Sequence, residues 1–110
     1  VGEGPVGLDV EPLDRPFRRL SGRYFTAEER RWLEADPTAK RFYTLWTRLE
    51  ALTKADGRGL LMEDRTQSLL DTEGPWHLRT FVHEGHLLSA AADRLFEPEV
   101  TEVPVDESLR

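Results

Sequence analysis

The chain has 110 residues, 38% of them hydrophobic and 33% charged, and a formal net charge of −6. That length holds at most one small domain with a modest core, and the acidic balance lacks the basic footprint of a general nucleic-acid binder. The absence of cysteine excludes a disulfide framework and any thiolate metal site. Three Trp, five Phe and two Tyr supply enough bulk for a compact core. No apolar run approaches the roughly 20 residues that span a bilayer, so no membrane partner is expected. No secretory signal is visible, and the default expectation is a cytoplasmic protein.

Val6 to Glu11 alternates apolar and polar, which predicts a strand with one dry face formed by Val6, Leu8 and Val10. Asp9 and Glu11 then share the opposite face, and Pro12 ends the strand because it has no N–H for a ladder. An irregular segment follows, broken by Pro16 and Gly22 and carrying Arg15, Arg18, Arg19 and Arg23. Thr26-Ala27-Glu28-Glu29 reads as a capping box, opening a helix over about 27–35 that stops at Asp36-Pro37. Thr38 caps a second helix over about 39–55. Its buried stripe is Phe42, Leu45, Trp46, Leu49 and Leu52, and Asp56-Gly57 closes it. Tyr43, Thr47, Glu50 and Lys54 line its polar side.

Residues 58–75 hold the apolar patch Leu60-Leu61-Met62 and a polar loop ending at Gly74-Pro75. Trp76–Val82 and His86–Ala91 flank His83-Glu84-Gly85 and predict a β-hairpin. His83, Glu84 and His86 straddle that turn, so a polar hairpin tip is the better reading than a metal pair. Trp32, Trp46 and Trp76 are expected in the core or at its rim. From Pro98 the chain is rich in Pro, Glu and Val and is expected to be extended or frayed. Strand, two helices and hairpin together make an α+β domain.

Asp9 and Glu11 lie two residues apart on one strand face, about 7 Å by strand rise. Such a pair suits a hard cation like Mg²⁺, which keeps waters and meets phosphate-bearing substrates; it also suits any strand with a wet face. Glu50 and Lys54 form an i,i+4 pair that stabilises a helix by a few tenths of a kcal/mol. Combined, three carboxylates and a lysine suit phosphoryl or phosphopantetheinyl transfer, where positioning and charge neutralisation dominate.

Gly7-Leu8-Asp9-Val10-Glu11, followed by Trp46-Thr47-Arg48-Leu49-Glu50-Ala51-Leu52-Thr53-Lys54 and Gly57-Arg58-Gly59-Leu60, resembles the 4′-phosphopantetheinyl transferase superfamily. Its signatures are G-(V/I)-D-(V/I)-E and W-(S/T)-x-K-E-(A/S)-x-x-K leading into G-x-G-L. Arg23-Tyr24-Phe25-Thr26-Ala27-Glu28-Glu29 and His86–Ala91 are similar to further stretches of that family. The resemblance implies a family half with an antiparallel sheet packed against a long helix, spanning 1–97, with 98–110 as a tail. It implies Mg²⁺-dependent transfer of the 4′-phosphopantetheine arm of coenzyme A to a serine of an acyl or peptidyl carrier protein, leaving 3′,5′-ADP. Asp9, Glu11 and Glu50 match the metal ligands. Glu50 matches the group that deprotonates the serine, and Lys54 matches the lysine on the phosphate. Arg19, within the basic cluster, is assigned to coenzyme A; the cluster reads equally as a solvated loop offset by Asp14 and Glu11.

Two departures qualify the pattern. Leu49 stands where the family usually has lysine, in phase with the apolar stripe. The Trp-containing motif points to the surfactin-synthetase-activating type, whose chains have two similar halves with coenzyme A between them. This sequence matches the C-terminal half, so a partner half or another subunit is expected to complete the site. The alternative is a non-catalytic half that binds a carrier protein or a partner half without turnover.

Overall fold

The computed structural model describes residues 5–15, 24–57 and 67–94. Arg18, Arg19, Arg23, Leu60-Leu61-Met62 and the tail from Pro98 lie outside the described residues. The fold is α+β: strand β1 (Val6–Pro12), helices α1 (Ala27–Ala35) and α2 (Ala39–Asp56), and strands β2 (His77–His83) and β3 (His86–Ala92). The strands form one antiparallel sheet in the order β1-β3-β2, so the last described strand is the central one.

Local chemistry sets the boundaries. The Thr26 side chain accepts from Glu29 N–H while the Glu29 carboxylate accepts from Thr26 N–H, the reciprocal pair that satisfies two donors at the start of α1. Thr38 caps α2 through Arg41 N–H. Gly57 ends it with φ +80°, a left-handed conformation open to glycine, and its N–H bonds the Thr53 carbonyl. At the hairpin His83 and His86 pair directly, which leaves a two-residue turn. Its residues Glu84 and Gly85 have φ of 52° and 76°, the type I′ signs that match strand twist. Pro12 is the last residue of β1 and lies opposite His86; Trp76 falls just before β2.

The apolar stripe of α2 enters the core as expected. Phe42, Leu45, Leu49 and Leu52 are buried with Phe25, Leu33, Leu69, Leu78 and Leu87, and Trp32, Trp46 and Trp76 pack partly buried at the rim.

The faces of β1 are the reverse of the expectation. Val6 and Leu8 are 53% and 42% exposed, whereas Gly7 is buried. A Cβ on Gly7 would stand 1.9 Å from the Ala51 carbonyl oxygen and 2.6 Å from Ala55 N, so β1 lies directly on the α2 backbone. The face that meets the helix is therefore the one carrying Gly7, Asp9 and Glu11. Alternation in a sequence gives two faces without saying which is covered; the contact to Ala51 decides it. Tyr43 and Thr47, expected on a polar side of α2, are buried, and Thr47 reaches β3 by bonding Ser89.

Candidate functional site

Asp9, Ser89 and Thr80 are mutual partners across β1, β3 and β2, so their side chains form one row on the face toward α2. At the β1 end of this row, Lys54 reaches down from α2. Its Nζ donates to Asp9 Oδ1 at 3.1 Å and to the Leu8 carbonyl at 3.0 Å. The lysine side chain is half exposed, while that of Asp9 is only 11% exposed. Asp9 Oδ2 is buried and has no hydrogen-bond partner among the described residues.

That environment disfavours the ionised carboxylate. Burial is the largest cause and pushes the Asp9 pKa up to about 6; the charges of Glu11 and Glu50 push the same way, and the bond and charge of Lys54 only partly oppose them. Glu11, one residue pair along β1, accepts from Arg15 Nη1 at 3.2 Å. The buried Tyr43 phenol shares this corner. Its pKa is raised by burial and by Glu11, with Arg15 acting in the opposite sense.

Asp9 and Lys54 are thus brought into direct contact, and Glu11 and Glu50 are near enough to act on Asp9 electrostatically. Among the described residues, no three His, Asp or Glu side chains are gathered tightly enough to hold a metal ion by themselves. Leu49 is buried in the core, so a leucine there serves packing. Arg48, its basic neighbour, does not replace the missing lysine. Its guanidinium points toward the far end of the row, with Nε on Thr80 Oγ1 at 2.8 Å and Nη1 on the Leu69 carbonyl at 2.8 Å. His83 and His86 sit at the hairpin tip, where His86 Nδ1 lies 3.0 Å from the Glu84 carbonyl.

Sequence reasoning missed the polar interior. Ser89 lies within a run of otherwise apolar residues on β3, and that isolated hydroxyl was the available signal. Glu29 was found as a cap, but its second oxygen also accepts from Leu69 N–H at 2.6 Å and Ser68 Oγ at 3.3 Å, which no local pattern announces. Gln67 likewise bridges the Asp71 and Trp76 carbonyls and the Trp76 N–H.

Residues 5–94 match the model of the 4′-phosphopantetheinyl transferase superfamily. The 4′-phosphopantetheinyl transferase psf-1 of Bacillus pumilus is 30% identical over 74% of this chain and 41% of its own length. The putative 4′-phosphopantetheinyl transferase slr0495 of a Synechocystis strain is 38% identical over 53% of this chain and 26% of its own. The 4′-phosphopantetheinyl transferase Sfp of Bacillus subtilis is 29% identical over 96% of this chain and 54% of its own. The chain therefore spans about half or less of these relatives. No solved structure gives a significant match.

Proposed function

Because the chain belongs to the 4′-phosphopantetheinyl transferase superfamily, we propose that it is the C-terminal half of an enzyme that moves the phosphopantetheine arm of coenzyme A to a carrier-protein serine. The acceptor is an acyl or peptidyl carrier protein and the other product is 3′,5′-ADP. The observation that carries this reading is the buried Asp9 Oδ2 beside Lys54, partnerless among the described residues, with the charges of Glu11 and Glu50 acting on the same carboxyl. A buried carboxylate oxygen left unpaired is a high-energy arrangement unless something arrives to pair with it.

Asp9, Glu11 and Glu50 would hold the Mg²⁺. A magnesium ion accepts one or two carboxylates and completes its shell with water and substrate phosphate, so a loose acid set of this kind fits it. Bound there, the ion would offset the negative charge of the coenzyme A pyrophosphate. Lys54, on a flexible stem, exchanges its contact with Asp9 for a phosphate oxygen. Glu50, directly or through a water, takes the proton of the carrier serine as its oxygen attacks the β-phosphorus. The bond from that phosphorus to the bridging oxygen breaks, and 3′,5′-ADP leaves. Arg19 is proposed for the cofactor phosphates on the sequence pattern alone. In this reading the sheet laid on α2 is one family half over residues 1–97, and a second half or subunit completes the coenzyme A site. The cytoplasm is the proposed location of this activity.

The test is mass spectrometry of an apo carrier protein incubated with coenzyme A, Mg²⁺ and the chain, alone and with a family N-terminal half. Gain of one phosphopantetheine arm on the serine is expected in the second mixture. No gain in either mixture removes the catalytic reading. Leu49 favours a second one, a half that binds carrier without turnover, since the charge usually adjacent to Glu50 is replaced by core packing. Tight carrier binding that is indifferent to Mg²⁺, with no transfer, would select it.

A further inference from the structure

Where α2 meets β1 at Gly7, backbone approaches backbone. Gly7 lies against Ala51 and Ala55, and these small groups offer no interdigitating side chain to stop the helix from turning or sliding. A rotation of about 20° moves a group about 6 Å from the helix axis by about 2 Å. That is enough to break the 3.1 Å contact between Lys54 and Asp9. The apolar stripe of α2 anchors the helix in the core, and directional contacts set its rotation more finely than apolar packing does.

One turn before Glu50, a chain of hydrogen bonds does run between α2 and the sheet. Arg48 Nε lies 2.8 Å from Thr80 Oγ1, Thr80 Oγ1 lies 2.9 Å from Ser89 Oγ, Ser89 Oγ lies 2.7 Å from Thr47 Oγ1, and Thr47 Oγ1 lies 2.7 Å from the Tyr43 carbonyl. Each hydroxyl in it could donate either way, yet the two ends settle the sense. A guanidinium can only donate and a carbonyl can only accept. Thr80 therefore accepts from Arg48 and donates to Ser89, Ser89 donates to Thr47, and Thr47 donates to Tyr43. Thr47 and Ser89 are fully buried, and the first link comes from a cation, so the chain is polarised in one direction. Arg48 is itself braced, because the Leu69 carbonyl that it bonds belongs to the residue whose N–H is held by Glu29.

We infer that Arg48, Thr80, Ser89 and Thr47 form a positioning network that fixes the rotation and height of α2 on the sheet, and with it the placement of Lys54 and Glu50 against Asp9. Ser89 is the central member of the network, since it is the cross-strand partner of both Asp9 and Thr80. In this role the four act through the helix. The inference rests on the proposed roles of Asp9, Glu50 and Lys54.

Nuclear magnetic resonance on the full chain, without coenzyme A or metal, tests it independently of turnover. The readout is the cross-peak between the Lys54 ε-protons and the Asp9 β-protons. Ser89→Ala, a small change that keeps the fold, and Thr80→Val, which keeps the shape, should each reduce it by half or more while amide signals of the β1–β3 ladder persist. Thr80→Ser should restore it. An unchanged cross-peak in both Ser89→Ala and Thr80→Val overturns the network, as does a Thr80→Ser variant that behaves like Thr80→Val. In the assembled enzyme, Ser89→Ala should lower kcat by about 10- to 100-fold, the range for a misplacement near 1 Å, with a smaller change in KM; a loss carried by KM alone overturns the positioning role. A wild-type chain that transfers nothing removes the proposed function and leaves the cross-peak test standing.

Discussion

The two ends of the row across the sheet are built to opposite rules. At the Thr80 end a cation is partly buried, and two of its donors meet a hydroxyl and a carbonyl in a chain closed at both ends. At the Asp9 end an anion is mostly buried, one of its oxygens has no partner among the described residues, and the lysine it meets sits half in water. Burying a charged group is tolerable when its hydrogen bonds are made and expensive when they are not. The contrast separates holding from working: the satisfied end fixes the helix, and the unsatisfied end is kept open at a loss in stability.

The sharpest way to break that contrast is Asp9→Asn. In the assembled enzyme it should reduce transfer by about 10²–10³-fold, the scale for losing one preorganised electrostatic group, read as carrier modification per minute. The same variant should leave the urea midpoint unchanged or raise it, because it removes a desolvated charge and only a half-exposed ion pair. Next in size is Gly7→Ala. Its new methyl meets backbone rather than a movable side chain, so a destabilisation of about 3 kcal/mol by chemical denaturation is expected, at the upper end of overpacking effects.

Arg48→Met probes the opposite end. It should cost about 2 kcal/mol by leaving the Leu69 carbonyl and Thr80 short of a donor, so the satisfied end loses stability where the open end does not. The last effect is one of pH. The Asp9 carboxyl holds its proton up to about pH 6 in the fold and to 3.8 at its ordinary value. The folded state thus binds more protons between those limits, and this residue's contribution to stability is greatest below the lower one and falls as pH rises through about 6. Thermal melts of wild type minus Asp9→Asn should show that decline. Saturating Mg²⁺ should flatten it, because metal binding favours the ionised form.

Much of the fold was legible because its signals are local. A capping box, a threonine cap and a glycine at positive φ bounded the helices, and the Glu84-Gly85 turn fixed the hairpin register. The orientation of β1 was not legible, since Val6, Leu8 and Val10 form an apolar set that ought to point inward by hydrophobicity alone. Gly7 carried the answer: its missing side chain lets the strand lie on Ala51, which turns Asp9 and Glu11 toward the helix. The contact of Asp9 with Lys54 bridges 45 positions and needed the family motifs to be suspected. The Thr47–Ser89–Thr80 chain had no such aid, because single hydroxyls in three separate elements form no pattern along a sequence.

The strand order has a consequence for how the molecule is made. Among the described strands the one bearing Asp9 pairs only with β3, which ends at Ala92. On a ribosome adding roughly 5–20 residues per second, the acidic strand emerges well before β3 and waits several seconds for the strand it must join. Until β3 is made there is no ladder to receive Asp9, and Lys54 has no sheet edge to reach across. Any message cut short before that strand would yield helices without the acidic corner, so the candidate site comes into being only in the final act of synthesis of the described domain.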